Sequence, residues 1–167
     1  MDEYLSDFEA SPESKPASTI QWQSKRFVEP VKTRQPYPAG ADQPETHMIM
    51  VNWLINDRPL TPMEEVTVGV LDHLLMGTTS SILRKTLMES GLGDSITGGG
   101  LMTELMQGTF SVGLKGVSPE NVDKVEELVV ETLKKVVEEG FTEDAIAASM
   151  NTIEFDVSFF RCKPTIF

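Results

Sequence analysis

Three side chains of the kinds that bind transition metals well occur in this sequence, and their spacing limits the chemistry they can do. His47, His73 and Cys162 are its only histidine and cysteine residues. A hydrolytic zinc site usually takes two histidines from a motif such as H-x-x-E-H or H-E-x-x-H, whose glutamate is the general base. Neither motif occurs in the chain. The sequence therefore predicts no catalytic and no metal-ligating residue, and it leaves any substrate-binding residue unknown.

Each of these residues has a simpler explanation than catalysis. Asp72 precedes His73, but neighbouring residues of a helix point about 100° apart and do not converge on one ion. We expect His73 to be packed or half-exposed, and His47, which opens an apolar strand, to lie at a solvated strand edge. Cys162 has basic neighbours that favour an oxidisable thiolate. Catalysis by this thiol would need a partner histidine, and the sequence places neither histidine near it.

Two further patterns have weak functional interpretations. The run Gly98-Gly99-Gly100 lacks the surroundings of a phosphate-binding loop, so we predict a turn between two strands. Met102 and Met106, with Leu101 and Leu105, form a flexible apolar stretch, because methionine adapts to irregular partners. Packing in the core or at a domain interface explains this stretch more simply than a peptide groove does.

Composition indicates one acidic domain. The chain has 167 residues, of which 40% are hydrophobic, enough for one ordinary core. It carries 14 Lys and Arg against 26 Asp and Glu, a formal net charge of −12, which would repel nucleic acid and attract cationic peptides. A single cysteine fits a reducing compartment. We expect no membrane-spanning segment, because no apolar run approaches roughly 20 residues, and no transit peptide, because the start is acidic.

The elements that would position these residues are predicted in the order strand, two helices, two strands, two helices. Short apolar runs and alternation predict strands at 47–54, 94–98 and 109–114, and 20–27 and 28–37 are further candidates for edge or covering strands. Helix starts are predicted at Thr61-Pro62, Ser81, Ser118-Pro119 and Thr142, with ends near Gly77, Gly91, Gly140 and Glu154. This order predicts an α+β fold, with an antiparallel sheet covered by helices on one face.

Periodicity assigns faces to the last two helices. An apolar stripe (Val122, Val125, Val129, Leu133, Val136) faces the core in the helix that follows Ser118, and its acidic opposite face is predicted to be solvated, with Glu131 and Lys135 as an ion pair. In the final helix, Ile146, Met150 and Ile153 share one side.

The stretch from Val66 to Ile96 carries a family resemblance. Together with Val112–Val117, Lys124–Leu128, Ala145–Phe155 and segments near the start (Glu3–Ser11, Tyr37–Gly40), it resembles the presequence proteases, pitrilysin-type zinc metallopeptidases related to insulin-degrading enzyme. The resemblance covers nearly the whole chain up to Phe155. Each short segment alone is weak, but the combination is specific.

The resemblance implies a role without catalysis. Such enzymes consist of four related α+β domains around a peptide chamber, and this chain is similar to the second. Their zinc and catalytic residues lie in the first domain, so the resemblance implies zinc in the parent enzyme and no cofactor in this chain. It also implies sister domains of the parent protease as partners, and the mitochondrial matrix or chloroplast stroma as location.

These expectations divide the chain into a linker at 1–19, a non-catalytic domain at 20–155 and an aberrant tail at 156–167. The tail, DVSFFRCKPTIF, departs from the family pattern, so a truncated product or partial gene model is expected. The predicted function is a structural, chamber-forming domain of a metalloendopeptidase that degrades presequences and other short unstructured peptides, inactive alone. The alternatives are a free-standing acidic module that binds cationic peptides or a protease half, and a fragment without function.

Overall fold

A computed structural model describes residues 18–23, 27–38 and 46–161, with side chains described as far as Phe155. The chain divides into two compact units, Met1–Lys32 and Thr33–Phe167. The described residues of the first unit contain no strand, and neither do residues 33–38 of the second. The predicted strands at 20–27 and 28–37 are therefore wrong over the described residues. The predicted linker lies outside them apart from Ser18 and Thr19.

The second unit is built on a three-stranded antiparallel sheet. Strand β1 is His47–Leu54, β2 is Ser95–Met102 and β3 is Thr109–Val117, in the spatial order β1-β3-β2. Val51 lies opposite Val112, and Ile96 lies opposite Leu114. The bounds predicted for β1 are confirmed. Along its whole length, half-buried residues alternate with exposed ones.

The glycine run lies within β2, so the turn predicted there is wrong. The pairing register with β3 shifts between Thr97 and Gly100, which marks a bulge. Gly98 and Gly100 have φ values of 89° and 69°, a region that other residues rarely adopt. The connection from β2 to β3 follows at residues 103–108. Glycine supplies the positive φ that both a β-bulge and a turn can require. The glycine run alone therefore did not distinguish a bulge from a turn.

The first helix begins as predicted. Helix α1 is Pro62–Asp72, and Thr61 and Glu64 form a capping box at its start. It continues into a wider π-helical turn at His73–Gly77, after which Thr78 is extended. The helical segment therefore ends at Gly77, as predicted, although Gly77 does not have the positive φ of a glycine cap. Helix α2 follows at Ile82–Glu89, and Gly91 then has the positive φ predicted of a helix stop.

The last two helices follow β3. A 3-10 turn, Pro119–Asn121, leads into α3, Val122–Glu139, which ends at Gly140 with a φ of 72°. Helix α4 is Glu143–Arg161 and runs past its predicted end at Glu154. Residues 156–161 of the predicted tail therefore continue a helix, and residues 162–167 lie outside the described part of the chain.

The core lies between one face of the sheet and the helices. It joins the inward side chains of β3 to α2, α3 and the wide turn, and its buried apolar residues are Leu75, Met76, Leu83, Leu87, Phe110, Val112, Leu114, Val117, Val125 and Val129. The opposite face of the sheet carries exposed residues of β1 and β2. An α+β fold with an antiparallel sheet covered on one face is thus confirmed.

The helical stretch Pro62–Glu89 is long and apolar enough to cross a membrane by length and composition alone. Core helices of globular domains meet the same description. Here the stretch is interrupted at residues 78–81, and its Leu83 and Leu87 are fully buried against the sheet. Helix α2 thus belongs to the core, whereas α1 has no buried residue.

Candidate functional site

His73 lies in the wide turn after α1 and joins it to α4. Its Nδ1 is 2.9 Å from Oγ of Ser149, a serine that is only 4% exposed. The backbone carbonyl of His73 accepts a hydrogen bond of 2.9 Å from Oγ of Ser81, at the start of α2. The ring also lies over Gly77, where any added Cβ would overlap it. His73 is therefore a half-buried packing residue, as the sequence predicted.

Asp72 points to a different element. Its Oδ1 accepts a hydrogen bond of 2.9 Å from the backbone amide of Leu101 in β2. Burial raises the pKa of the Asp72 carboxyl, and the hydrogen bond from Leu101 and the neighbouring His73 oppose that rise. A Cβ at Gly100 would overlap the same carboxylate oxygen. Asp72 and His73 thus diverge, as adjacent helical residues must.

The residues Asp72, His73 and Ser149, here called the polar junction, have the types of a hydrolase triad but not its geometry. In a triad the carboxylate accepts from the histidine Nδ1, while the serine faces Nε2. Here the serine faces Nδ1, and the carboxylate is bound to a backbone amide. Ser149 is also buried within a helix. Through these hydrogen bonds the polar junction connects α1 to β2 and the wide turn to α4.

His47 does not take part in this junction. His47 is half-buried at the start of β1 opposite Val117, beside a register irregularity. Cys162 lies outside the described residues. Within the described ranges, no group of three or more histidine, cysteine, aspartate and glutamate side chains is placed to hold a metal ion.

The uncovered side of the sheet presents an apolar surface, here called the open face. Met48, Met50 and Leu54 of β1 and Met102 of β2 are 42–50% exposed there. Thr97 Oγ1 donates to Sδ of Met48 at 3.7 Å, a contact between the two outer strands. On the central strand, Thr97 lies opposite Gly113, and Met48 lies opposite Lys115. Sulfur-containing side chains in this setting can adapt to an irregular partner.

The predicted Met-rich stretch is divided between two environments. Leu101 packs against the core, whereas Met102 belongs to the open face. Leu105 and Met106 are exposed in the loop between β2 and β3. The stretch is therefore not one groove.

An apolar depression, here called the β1 groove, lies between β1 and α3. Its volume is about 370 Å³, and it is lined by Trp53, Val130, Leu133, Lys134, Val137 and Glu138. Trp53 packs on Phe110 with ring centroids 5.8 Å apart. The groove was not predicted from the sequence. A signal for the groove was present in α3, because Val130 and Val137 are apolar but lie outside its predicted core stripe.

The faces of the last two helices differ in part from expectation. The predicted core stripe of α3 is buried or packed against the core. Lys135 lies 3.9 Å from Glu139 instead of pairing with Glu131.

On α4, Ile146 and Met150 are 40% and 48% exposed, while Ser149 faces inward. The predicted apolar side of α4 is therefore mostly uncovered, since the helix packs through its smaller residues.

Comparison with known proteins gives consistent matches. Residues 1–153 match the family described as "Peptidase M16 inactive domain". The chain is 54% identical over 159 residues to "Presequence protease 1, chloroplastic/mitochondrial" of Arabidopsis thaliana, covering 94% of this chain and 14% of that protein. It is 36% identical over 107 residues to "Presequence protease, mitochondrial" of Mus musculus, covering 64% and 10%. It is 32% identical over 88 residues to "Protein HypA" of Clostridium perfringens, covering 53% and 9%. The chain thus spans at most 14% of the length of these curated relatives.

Proposed function

Because the chain belongs to the M16 peptidase family, in the part described as its inactive domain, we propose that it is a structural domain of a presequence-protease-type zinc metalloendopeptidase. The match to the inactive domain is the observation that carries this proposal. The polar junction supports it, because its most catalytic-looking residues are engaged in holding α1, β2 and α4 together.

In the parent enzyme the chemistry belongs to another domain. Zinc held there would activate water for attack on a peptide bond, with a glutamate as general base. This chain contributes a wall of the peptide chamber and contacts to the sister domains. The parent would degrade targeting presequences and other short unstructured peptides. It would act in mitochondria or chloroplasts, the compartments named for the Arabidopsis and mouse relatives.

Two uncovered apolar surfaces support contact with sister domains. Met48, Met50 and Leu54 on the open face are each more than 40% exposed, and Ile146 and Met150 project from α4. Several exposed apolar side chains on one face of a domain are typical of an interface. A domain that functioned alone would leave these side chains in water.

The proposal is tested by measuring peptide cleavage by the purified 167-residue chain. A quenched fluorescent presequence peptide is incubated with the chain after zinc loading, with and without 1,10-phenanthroline. We expect no chelator-sensitive cleavage, whereas the full-length Arabidopsis relative should cleave the same peptide. Chelator-sensitive turnover that follows the chain through two different chromatography steps would refute a purely structural role.

A second candidate function is the capture of cationic peptides by the isolated domain. The acidic residues exposed on α3, such as Asp123, Glu127 and Glu131, and the net charge of −12 favour this alternative. The test is a titration with an Arg-rich presequence peptide at low and high salt. A control peptide has the same apolar residues and glutamine in place of arginine. Absence of salt-sensitive binding at micromolar concentration would remove this candidate.

A further inference from the structure

Two methionines of β1 lie on the open face with almost equal exposure. Met48 and Met50 are 42% and 44% exposed. Their side chains point to the same side of the sheet, because residues two apart in a strand share a face. Met50 lies opposite Gly113, which has no side chain, whereas Met48 lies opposite Lys115. The two thioethers therefore have similar access to solvent and different neighbours.

The hydroxyl of Thr97 gives Met48 a hydrogen-bond donor. Thr97 Oγ1 donates to Met48 Sδ at 3.7 Å, from β2 across the central strand to β1. Thr97 is half-buried and pairs with β3 directly before the bulge, so the sheet holds its backbone in place. A thioether sulfur is a weak acceptor. A well-placed donor is thus bound to an atom that accepts only weakly.

Oxidation of the thioether to a sulfoxide would give this hydroxyl a stronger acceptor. A sulfur lone pair attacks one oxygen of hydrogen peroxide, so that an S–O bond forms and the O–O bond breaks. The sulfur loses two electrons, and the peroxide gains them. The departing hydroxide takes the proton of the transferred oxygen and leaves as water. Negative charge develops on the peroxide oxygens during this transfer, and a donor already in place stabilises it.

We propose that Met48 is a modification site of this domain, at which hydrogen peroxide forms methionine sulfoxide and the Thr97 hydroxyl donates to the transferred oxygen. The methionine side chain is unbranched and flexible, so its sulfur can turn towards the oxidant and stay within reach of Thr97. The positive charge of the exposed Lys115, opposite Met48, favours the same product. The inference goes beyond the proposed structural role and does not depend on it.

The product changes the character of the open face at one position. A sulfoxide is polar, whereas the thioether is apolar. At Met48 the new oxygen is satisfied by Thr97 within the domain, so the fold accommodates the change. Methionine sulfoxide is also the form that sulfoxide reductases return to the thioether, so this modification belongs to the reversible kind.

The test compares Met48 with Met50 in the same molecules. The purified 167-residue chain is treated with hydrogen peroxide, samples are quenched with catalase at intervals, and fragment-ion mass spectrometry assigns each sulfoxide to one residue. Exposure alone predicts nearly equal rates. We expect Met48 to be oxidised about threefold faster or more, the size of effect that one modest hydrogen bond supplies. Equal rates, or faster oxidation of Met50, would overturn the proposal.

Two substitutions at Thr97 test the role of the donor. Thr97→Val removes the hydroxyl and keeps a similar volume, so the ratio of the Met48 rate to the Met50 rate should fall to about one. The matched control is Thr97→Ser, which keeps the hydroxyl and should keep most of the ratio. A ratio that T97V leaves unchanged, or that T97S abolishes equally, would overturn the assignment of Thr97.

A third methionine controls for the oxidant and the fold. Met63 on α1 is 74% exposed and should be oxidised at the same rate in all three chains. Thermal melts of T97V and T97S show whether each variant is folded. The comparison of Met48 with Met50 in the original chain needs no variant, so the proposal remains testable if T97V does not fold.

Discussion

Replacing Asp72 tests whether the contact between α1 and β2 is a hydrogen bond that the domain needs. Asp72→Ala removes the acceptor of the Leu101 amide and leaves that N–H without its partner. An unsatisfied buried donor costs about 1–3 kcal/mol. Because Asp72 is only half-buried, water can partly replace it, so we expect a loss of about 1–2 kcal/mol. That loss should lower Tm by about 4 °C per kcal/mol.

Asp72→Asn separates the hydrogen bond from the charge. Asparagine keeps an oxygen acceptor for the Leu101 amide and removes the carboxylate whose ionisation burial disfavours. We expect D72N to match or slightly exceed the original chain in stability at pH 7. The comparison of the two variants at one pH, by urea unfolding, isolates the contribution of the acceptor.

The pH dependence has a defined sign. Because the folded state raises the pKa of Asp72, it holds the proton more tightly than the unfolded state, whose pKa is near 3.9. The favourable contribution is present below the unfolded pKa and is lost as pH rises through the folded pKa. The stability of D72N relative to the original chain should therefore rise from about pH 4 upwards and then level off. Equal destabilisation by D72N and D72A would refute the argument, because a neutral acceptor would then have failed to replace the carboxylate.

Two further predictions concern a capping residue and the glycines. Hydrogen bonds from Arg58 and from Thr61 hold the pKa of Glu64 at about 2, so its stabilising contribution should be lost as pH falls from above the unfolded value of about 4.3 towards 2. Thermal melts should show that Glu64→Gln lacks this dependence; an unchanged acid transition would contradict the assignment. Gly113→Ala should destabilise by about 1–3 kcal/mol or more, because its Cβ would overlap the Ile49 carbonyl oxygen. Gly69→Ala, which meets no atom within 4 Å, should instead stabilise α1 by about 0.5–1 kcal/mol, and the opposite order in urea unfolding would show that the close approach at Gly113 is not limiting.

The elements that could be predicted are those whose signals are local. The bounds of β1 follow from a short apolar run between turn-forming residues, and the start of α1 follows from Thr61 and Glu64, which satisfy each other within four residues. The core stripe of α3 follows from helical spacing. In each case the residues that specify the structure lie within the element or directly beside it.

The features that sequence reasoning missed depend on distant contacts. Ser149 was overlooked because a lone serine in a helix has no pattern, and its burial depends on His73, 76 positions away in the chain. Trp53 was recognised as part of a strand, but the groove beside it exists only because α3 crosses that edge. The bulge in β2 likewise needs β3 to define its register. Residue types predicted the elements, while packing between elements created the junction and the groove.

The wide turn at His73–Gly77 lets this segment hold one residue more than an ordinary helix would. A π-helical turn holds one more residue than an α-helical turn, so it is equivalent to a single-residue insertion in the helix. Because the turn takes up that residue locally, deleting one residue here would restore ordinary helical pitch and leave the segment that follows close to its present orientation. The same deletion in a regular α-helix would rotate everything that follows by about 100°. The wide turn, which holds the buried Leu75 and Met76, is therefore the place in this helical stretch where the chain tolerates a change of one residue in its length.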